Sequence, residues 1–199
     1  MTRNAQSRSI PKGGNMTKLN DKFDFAALDL SRIAVIGCPG SGKTTLSNEL
    51  GRILNRQVAH LDKVLWNPNW EMLPYDERKV IHDGLIAKDN WLIDGMWRSH
   101  LPDRFKRATT VIFLDYKRRV SFFRAVKRRI KYRGKQRDDI AEGCLEKLDS
   151  DFTKYIWNFR KDVRPLIYSL VDECADVATV ILSSPKATKR FVRQLKEFT

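Results

Sequence analysis

Gly37-Cys38-Pro39-Gly40-Ser41-Gly42-Lys43-Thr44 is the stretch on which the reading of this chain turns. It satisfies the pattern G-x-x-x-x-G-K-[ST] at each fixed position. Glycines let the backbone curl tightly with its N–H groups pointing inward, a nest for the phosphate oxygens of a nucleoside triphosphate. Lys43 then sets a cation beside the β- and γ-phosphates, and the Thr44 hydroxyl is a ligand for Mg²⁺. The expected phosphate contacts run over Gly37, Gly40, Ser41 and Gly42, then Lys43, Thr44 and Thr45. A glycine-rich turn can match such a pattern by accident, but the flanks argue against it. Ile33-Ala34-Val35-Ile36 reads as a buried strand, and Leu46, Leu50, Ile53 and Leu54 recur at helical spacing. Strand, loop and helix in that order bring the dipole of a helix N-terminus to the anion site.

Outward from the loop, the same alternation continues. Val58-Ala59-His60-Leu61 is a second strand ending at Asp62, and turn signals follow at Asn67-Pro68-Asn69-Trp70 and Leu73-Pro74. The spacing predicts a helix over 75–88 with Val80, Leu85 and Ile86 facing inward. Trp91-Leu92-Ile93 is a third strand, and the β-branched run 110–114 a fourth. A helix over 117–132 is expected to bury Val120, Phe123, Val126 and Ile130. A polar segment at 133–143 separates it from a helix over 145–172, then come a fifth strand at 178–182 and a closing helix at 186–198. The expected fold is α/β: a five-stranded parallel sheet with right-handed crossovers and helices on both faces.

The chain has 199 residues, enough for one domain with a sizeable core. Residues 1–30 read as a mobile N-terminal extension and 31–199 as the domain. The first residues are basic and serine-containing but lack the apolar stretch of a secretory signal. Met16 is an alternative start, and Asp21 and Asp24 weaken a transit-peptide reading. No apolar run approaches the roughly 20 residues of a membrane span. Cys38, Cys144 and Cys174 form neither a zinc spacing nor a disulfide framework, which points to a reducing, cytoplasmic setting. Cys38 is either reactive beside Lys43 or a small filler of the loop. The net charge of +14 suggests polyanionic partners: nucleotides, nucleic acid or an acidic surface. Much of the excess lies between Lys117 and Arg137, which contains no acidic residue.

A second signal is Leu92-Ile93-Asp94-Gly95-Met96-Trp97-Arg98. An acidic residue at the carboxyl end of a buried strand is placed to serve the metal beside a phosphate loop. Asp94 takes that role here, through metal-bound water, against the plainer reading of a strand-end turn.

With these residues the chain resembles the adenylate kinase-like nucleoside monophosphate kinases, whose third strand ends in D-G-x-x-R, matched by Asp94, Gly95 and Arg98. The resemblance implies that Arg98 grips the acceptor's phosphate, with Arg124 near the adenine and Arg128 near the transferred phosphates. It also implies a lid over about 129–150 containing Arg137-Asp138-Asp139, and an acceptor-binding insert over about 62–90. Pro165-Leu166-Ile167-Tyr168 is similar to the segment that packs the lid helix on the core. A closer resemblance, from Ile33 onward, is to the group named DNA topology modulation proteins (FlaR-related). It rests on His60-Leu61-Asp62, Trp66-x-Pro68-x-Trp70, Arg129-x-x-Tyr132-Arg133-Gly134-Lys135 and Ile156-Trp157-Asn158-Phe159. Departures from adenylate kinases concern Thr44-Thr45-Leu46 after the loop's lysine and Leu61-Asp62-Lys63 after the second strand. AMP determinants are therefore largely absent. Leu148 stands where a second lid arginine is expected, leaving Arg160 or Arg164 to act in its place.

Asp62 follows the second strand, where small-molecule kinases of this type carry a base for an acceptor hydroxyl; the other reading is a helix N-cap. His60 is expected to be structural, Trp91 core, Trp66 and Trp70 pocket walls, with Trp97 a further candidate. The function expected is an ATP- and Mg²⁺-dependent phosphotransferase acting on a small nucleotide, nucleoside or hydroxyl-bearing acceptor. Lys43, Asp62, Arg128 and Arg137 form its catalytic set, and Arg133 helps close the site. Arg124 and Arg128 serve ATP; Asp62, Trp66, Trp70 and Arg98 the acceptor; Thr44 and Asp94 the metal. The alternatives are a nucleotide-regulated nucleic-acid-binding protein, with weak and salt-sensitive attraction, and an NTP hydrolase without an acceptor.

Overall fold

The computed structural model describes residues 23–146 and 148–199. In chain order come β1 (Arg32–Gly37), α1 (Lys43–Ile53), β2 (Val58–His60), the short α2 (Leu61–Val64), and a hairpin of β3 (Trp66–Asn67) and β4 (Glu71–Met72). Next are α3 (Tyr75–Ile86), β5 (Trp91–Asp94), α4 (Leu101–Arg107), β6 (Thr110–Leu114) and α5 (Arg118–Lys131). The chain closes with α6 (Ser150–Asp162), α7 (Arg164–Glu173), β7 (Ala178–Leu182) and α8 (Pro185–Phe198).

Five strands form one sheet in the order β2-β5-β1-β6-β7, with every pairing parallel. β1 lies at the centre, so the loop that follows it opens at the carboxyl edge of the sheet, between its neighbours. Side chains alternate between two cores. Ala34, Ile36, Val111 and Phe113 join the layer that includes α4, α6 and α7, while Ile33, Val35, Ile112 and Leu114 join the layer under α1 and α8. A strand covered on both faces has no solvent side, which is why these strands read as unbroken apolar runs. Among the described residues no helix is long and apolar enough to cross a membrane.

Four expectations change. Residues 1–22 lie outside the described residues, but 23–30 pack on the domain. Phe25 and Leu28 are buried, and the Phe23 and Phe25 rings sit 4.9 and 5.3 Å from that of Phe191 on α8. The domain thus starts upstream of residue 31, because these aromatics cover the apolar face of α8.

Phe123 and Ile130, expected inside, are 66% and 72% exposed, and α5 instead buries Ser121 and Ala125. Its inner face meets the phosphate loop, where only small side chains fit. Val80 is 72% exposed, since α3 turns His82 and Ile86 inward. The single helix expected over 145–172 is two. Asp149 caps α6 by accepting from Phe152 N at 2.8 Å, and the chain breaks at Val163 before Pro165.

Candidate functional site

The loop between β1 and α1 is moulded by contact with α5. A Cβ on Gly40 (φ +78°) would lie 2.2 Å from the Ser121 carbonyl oxygen and 3.2 Å from the Ala125 Cβ. Gly42 (φ +98°) precedes α1 with no side-chain cap, so the first N–H groups of that helix stay free for an anion. The Ser41 hydroxyl is buried without a partner. Lys43 Nζ donates to the carbonyls of Gly37 and Cys38 at 3.0 and 3.3 Å, which folds the ammonium back over the loop. Desolvation pulls the Lys43 amine below its usual 10.5, opposed by the charges of Asp62 and Asp94. Arg124 adds a second tie, donating to Ser41 O at 3.2 Å.

Asp94, at the end of β5, is buried. Its Oδ1 lies 2.8 Å from His60 Nδ1, and its Oδ2 has no partner. His60 Nε2 meets Asn48 Oδ1 at 3.2 Å, so the imidazole is fixed at both ends. Burial works against protonation of His60, yet the hydrogen bond and charge of Asp94 outweigh it and raise the imidazole above 6.5. A buried carboxylate oxygen without a partner suits a hard cation, whose ligands are oxygens, and Asp94 shares the lining of one cleft with Thr44. Asp62 is not an N-cap. His60 holds that position, and Asp62 sits within the first turn of α2 with its side chain open to the cleft. Desolvation raises the Asp62 carboxyl above 3.8 against the pull of Lys43, an effect that solvent in the cleft tempers.

The segment after α5 crosses over this floor. Arg137 pairs with Asp139 through Nε–H at 2.9 Å and through a second contact, and it also pairs with Glu146. Arg128 Nε lies 2.9 Å from the same Glu146 oxygen. Burial opposes ionisation of Asp139, but Arg137, with help from the Thr44 hydroxyl, holds it below 3.8. This crossing segment is also joined to the β3–β4 hairpin. Ala141 N donates to Asp62 O (3.0 Å), Asn69 N to Gly143 O (3.2 Å) and Trp70 Nε1 to Leu145 O (2.6 Å). Cys144 Sγ reaches Asn67 O at 3.1 Å and accepts from Trp70 N at 3.3 Å.

One cleft of about 1510 Å³ gathers these groups. Gly40, Gly42, Lys43, Thr44 and Thr45 of the loop and α1 line it, as do Arg124, Arg128 and Arg137. Asp62, Asp94, Trp66, Trp70, Trp97 and Arg98 line the same cleft. Gly37 and Ser41 lie behind the lining, as the buried frame of the loop. Trp66 and Trp70 meet edge to face at 5.5 Å, and Arg98 sits 6.0 Å from the Tyr155 ring. Trp91 is core, as expected.

Three expected arginines are not here. Arg133 and Arg160 are exposed away from the cleft lining, and Arg164 is committed to Asp115 at 2.9 Å and to Tyr168. Cys38 is buried, its thiol pushed up to about 11 by desolvation, which makes it a filler and not a nucleophile. Glu146 and Arg104 went unremarked in the sequence. Arg104 is fully buried beneath the segment that follows Asp94, donating to the carbonyls of Gly95 (3.2 Å) and Trp97 (3.4 Å). Desolvation lowers it to about 10. An isolated arginine in an amphipathic helix carries no signal that it points inward.

Residues 33–151, more than half of the chain, match the family described as AAA domain. No curated protein matches the chain in sequence. Among solved structures, the chain is similar to a shikimate kinase from Acinetobacter baumannii in complex with shikimate. The identity is 15%, coverage 87% of this chain and 94% of that one, and TM-score 0.56. A gluconokinase from Sinorhizobium meliloti 1021 aligns at 15% identity over 86% and 94% of the two chains, with TM-score 0.48. The first likeness identifies the fold: a parallel five-stranded P-loop kinase fold of the shikimate kinase kind.

Proposed function

The chain belongs to the AAA domain family, and from that premise we propose that it is an adenylate kinase-like phosphotransferase moving the γ-phosphate of ATP to a small hydroxyl-bearing acceptor. The observation that carries this reading is Asp62, a carboxylate that lines the same cleft as the loop's Lys43, together with Trp66, Trp70 and Trp97. A phosphate acceptor needs no base, whereas an alcohol does. Asp62 takes the proton of the hydroxyl as its oxygen bonds to the γ-phosphorus, and the bond from that phosphorus to the β–γ bridging oxygen breaks, releasing ADP. Lys43, Arg128 and Arg137 hold the charge that spreads over the transferred group. Mg²⁺, for which Thr44 and Asp94 are the fitting ligands, supplies charge neutralisation at the phosphates. The segment 137–146 excludes water, which would otherwise compete with the acceptor. Arg98 and the Trp66–Trp70 pair orient the acceptor.

A second reading, a nucleotide-regulated nucleic-acid-binding protein of the DNA topology modulation kind, draws on the exposed Arg118 and Arg119 of α5. It is the weaker one, because Arg124, Arg128 and Arg137 of the same basic run turn into the cleft. ATP consumption measured across nucleosides, nucleotides and small alcohols tests the choice, with Lys43→Ala as control. One acceptor class should stimulate turnover, and the control should abolish it while keeping the fold. A flat screen, together with ATP-dependent DNA retention in gels at physiological salt, would reverse the ranking.

A further inference from the structure

Glu146 is a buried carboxylate whose Oε1 is shared by Arg128 and Arg137, two arginines that come from different segments. Both line the cleft beside the phosphate loop. The backbone leading to Glu146 is held in place, so only its side chain can leave the pair. The residues before it are fastened to the β3–β4 hairpin by Gly143 O, Cys144 Sγ and Leu145 O. There is no spare room at that junction, since a Cβ on Gly143 would lie 2.8 Å from the Pro68 Cβ. An anion is thus anchored where two cations converge, in a cleft shaped for a polyanion.

We propose that Glu146 is a positioning residue that stands in for the donor's terminal phosphate, keeping Arg128 and Arg137 converged until ATP displaces it. This rests on the phosphotransferase reading above. Two opposite effects follow from one carboxylate. By holding the pair together, Glu146 spares the reaction the cost of gathering two long, mobile side chains. By occupying the pair, it competes with the incoming phosphate, so part of the donor's binding energy goes into displacing it.

Equilibrium binding of the non-hydrolysable analogue AMP-PNP with Mg²⁺, followed by titration calorimetry, separates these effects from a merely structural role. Glu146→Gln should bind the analogue about tenfold more tightly than the wild type, because the competing charge is gone. Its kcat should nevertheless fall, giving tighter binding with slower turnover. Glu146→Asp, which retains the charge, should return the affinity toward the wild-type value. A residue that only stabilises the segment would weaken binding and turnover together, and that result overturns the proposal. Equal affinity in wild type and Glu146→Gln also overturns it while leaving the phosphotransferase reading intact. Failure of all three proteins to bind AMP-PNP removes the donor-site reading and this proposal with it.

Discussion

His60 Nδ1 and Asp94 Oδ1 are 2.8 Å apart, and the other oxygen of Asp94 is buried without a partner. The imidazole therefore fixes one oxygen and leaves the second available to a cation. Outer partners of this kind typically contribute 10–100-fold to metal affinity or activity. His60→Ala should raise the Mg²⁺ concentration needed for half-maximal turnover by about 10-fold or more. Asp94→Asn should be more severe. A magnesium titration of ATP turnover checks both, and an unchanged requirement in His60→Ala would rule out the orienting role.

Asp62 holds its proton to a higher pH than the 3.8 of an unfolded chain, chiefly through desolvation. Keeping it ionised at neutral pH therefore costs folded stability. Solvent reaches the side chain and screens this cost, so Asp62→Asn should melt no lower than the wild type at pH 7, with any gain gone below about pH 3.8. The same change should lower kcat by about 10²- to 10⁴-fold, the range of general-base catalysis. Thermal melts across pH, paired with turnover, test the two signs together. A variant both less stable and fully active would contradict the assignment.

His82 is buried beside His100 and Trp97 with its Nδ1 3.6 Å from Asp83 Oδ1, beyond hydrogen-bond reach. Burial, reinforced by Arg104 and His100, pushes it down to about 4. An unfolded chain takes up this proton near pH 6.5, so the stability tied to neutral His82 is complete above 6.5 and lost as pH falls toward 4. The loss is on the order of 3 kcal/mol at full extent. His82→Leu should flatten the acid limb of a urea-denaturation series between pH 6.5 and 4.5. An identical limb in both proteins would remove His82 as its cause.

Gly40 leaves no room for a side chain against Ser121 O, and its φ of +78° strains any other residue. Gly40→Ala should destabilise by more than about 2 kcal/mol, through overpacking and backbone strain combined. It should also lose ATP binding, since α5 or the loop must shift. Chemical denaturation and nucleotide binding are the measurements. Ser121→Ala, which keeps the carbonyl, should have little effect.

What could be read from the chain depended on where each partner came from. β6 was legible to the residue, because a strand buried on both faces writes its environment as an unbroken apolar run. The phosphate loop was legible because its residue types and their spacing are contiguous in the chain, although α5 shapes it. The inward face of α5 was not. Helical periodicity assumes that large apolar residues face the core, yet this helix faces a glycine loop and needs Ser121 and Ala125 there. The resemblance to nucleoside monophosphate kinases led to Arg124, Arg128 and Arg137. Their counter-charge Glu146 was invisible, since its role depends on where two distant segments meet. Arg133, Arg160 and Arg164, expected to act with those arginines, do not line the cleft.

The all-parallel order of the sheet bears on how the protein is made. β1 has no sequence-adjacent partner. Its neighbours are β5, which begins at Trp91, and β6, which begins at Thr110. No hairpin can nucleate this centre, and long loops must close before any of its ladders form, a topology that folds slowly. The Gly40 turn waits longer still, because the surface that shapes it is carried by α5. A nascent chain that has emerged only as far as Thr45 carries the motif in writing but not in shape. Nucleotide should therefore act on folding only at its last stage, capturing the finished domain instead of templating it.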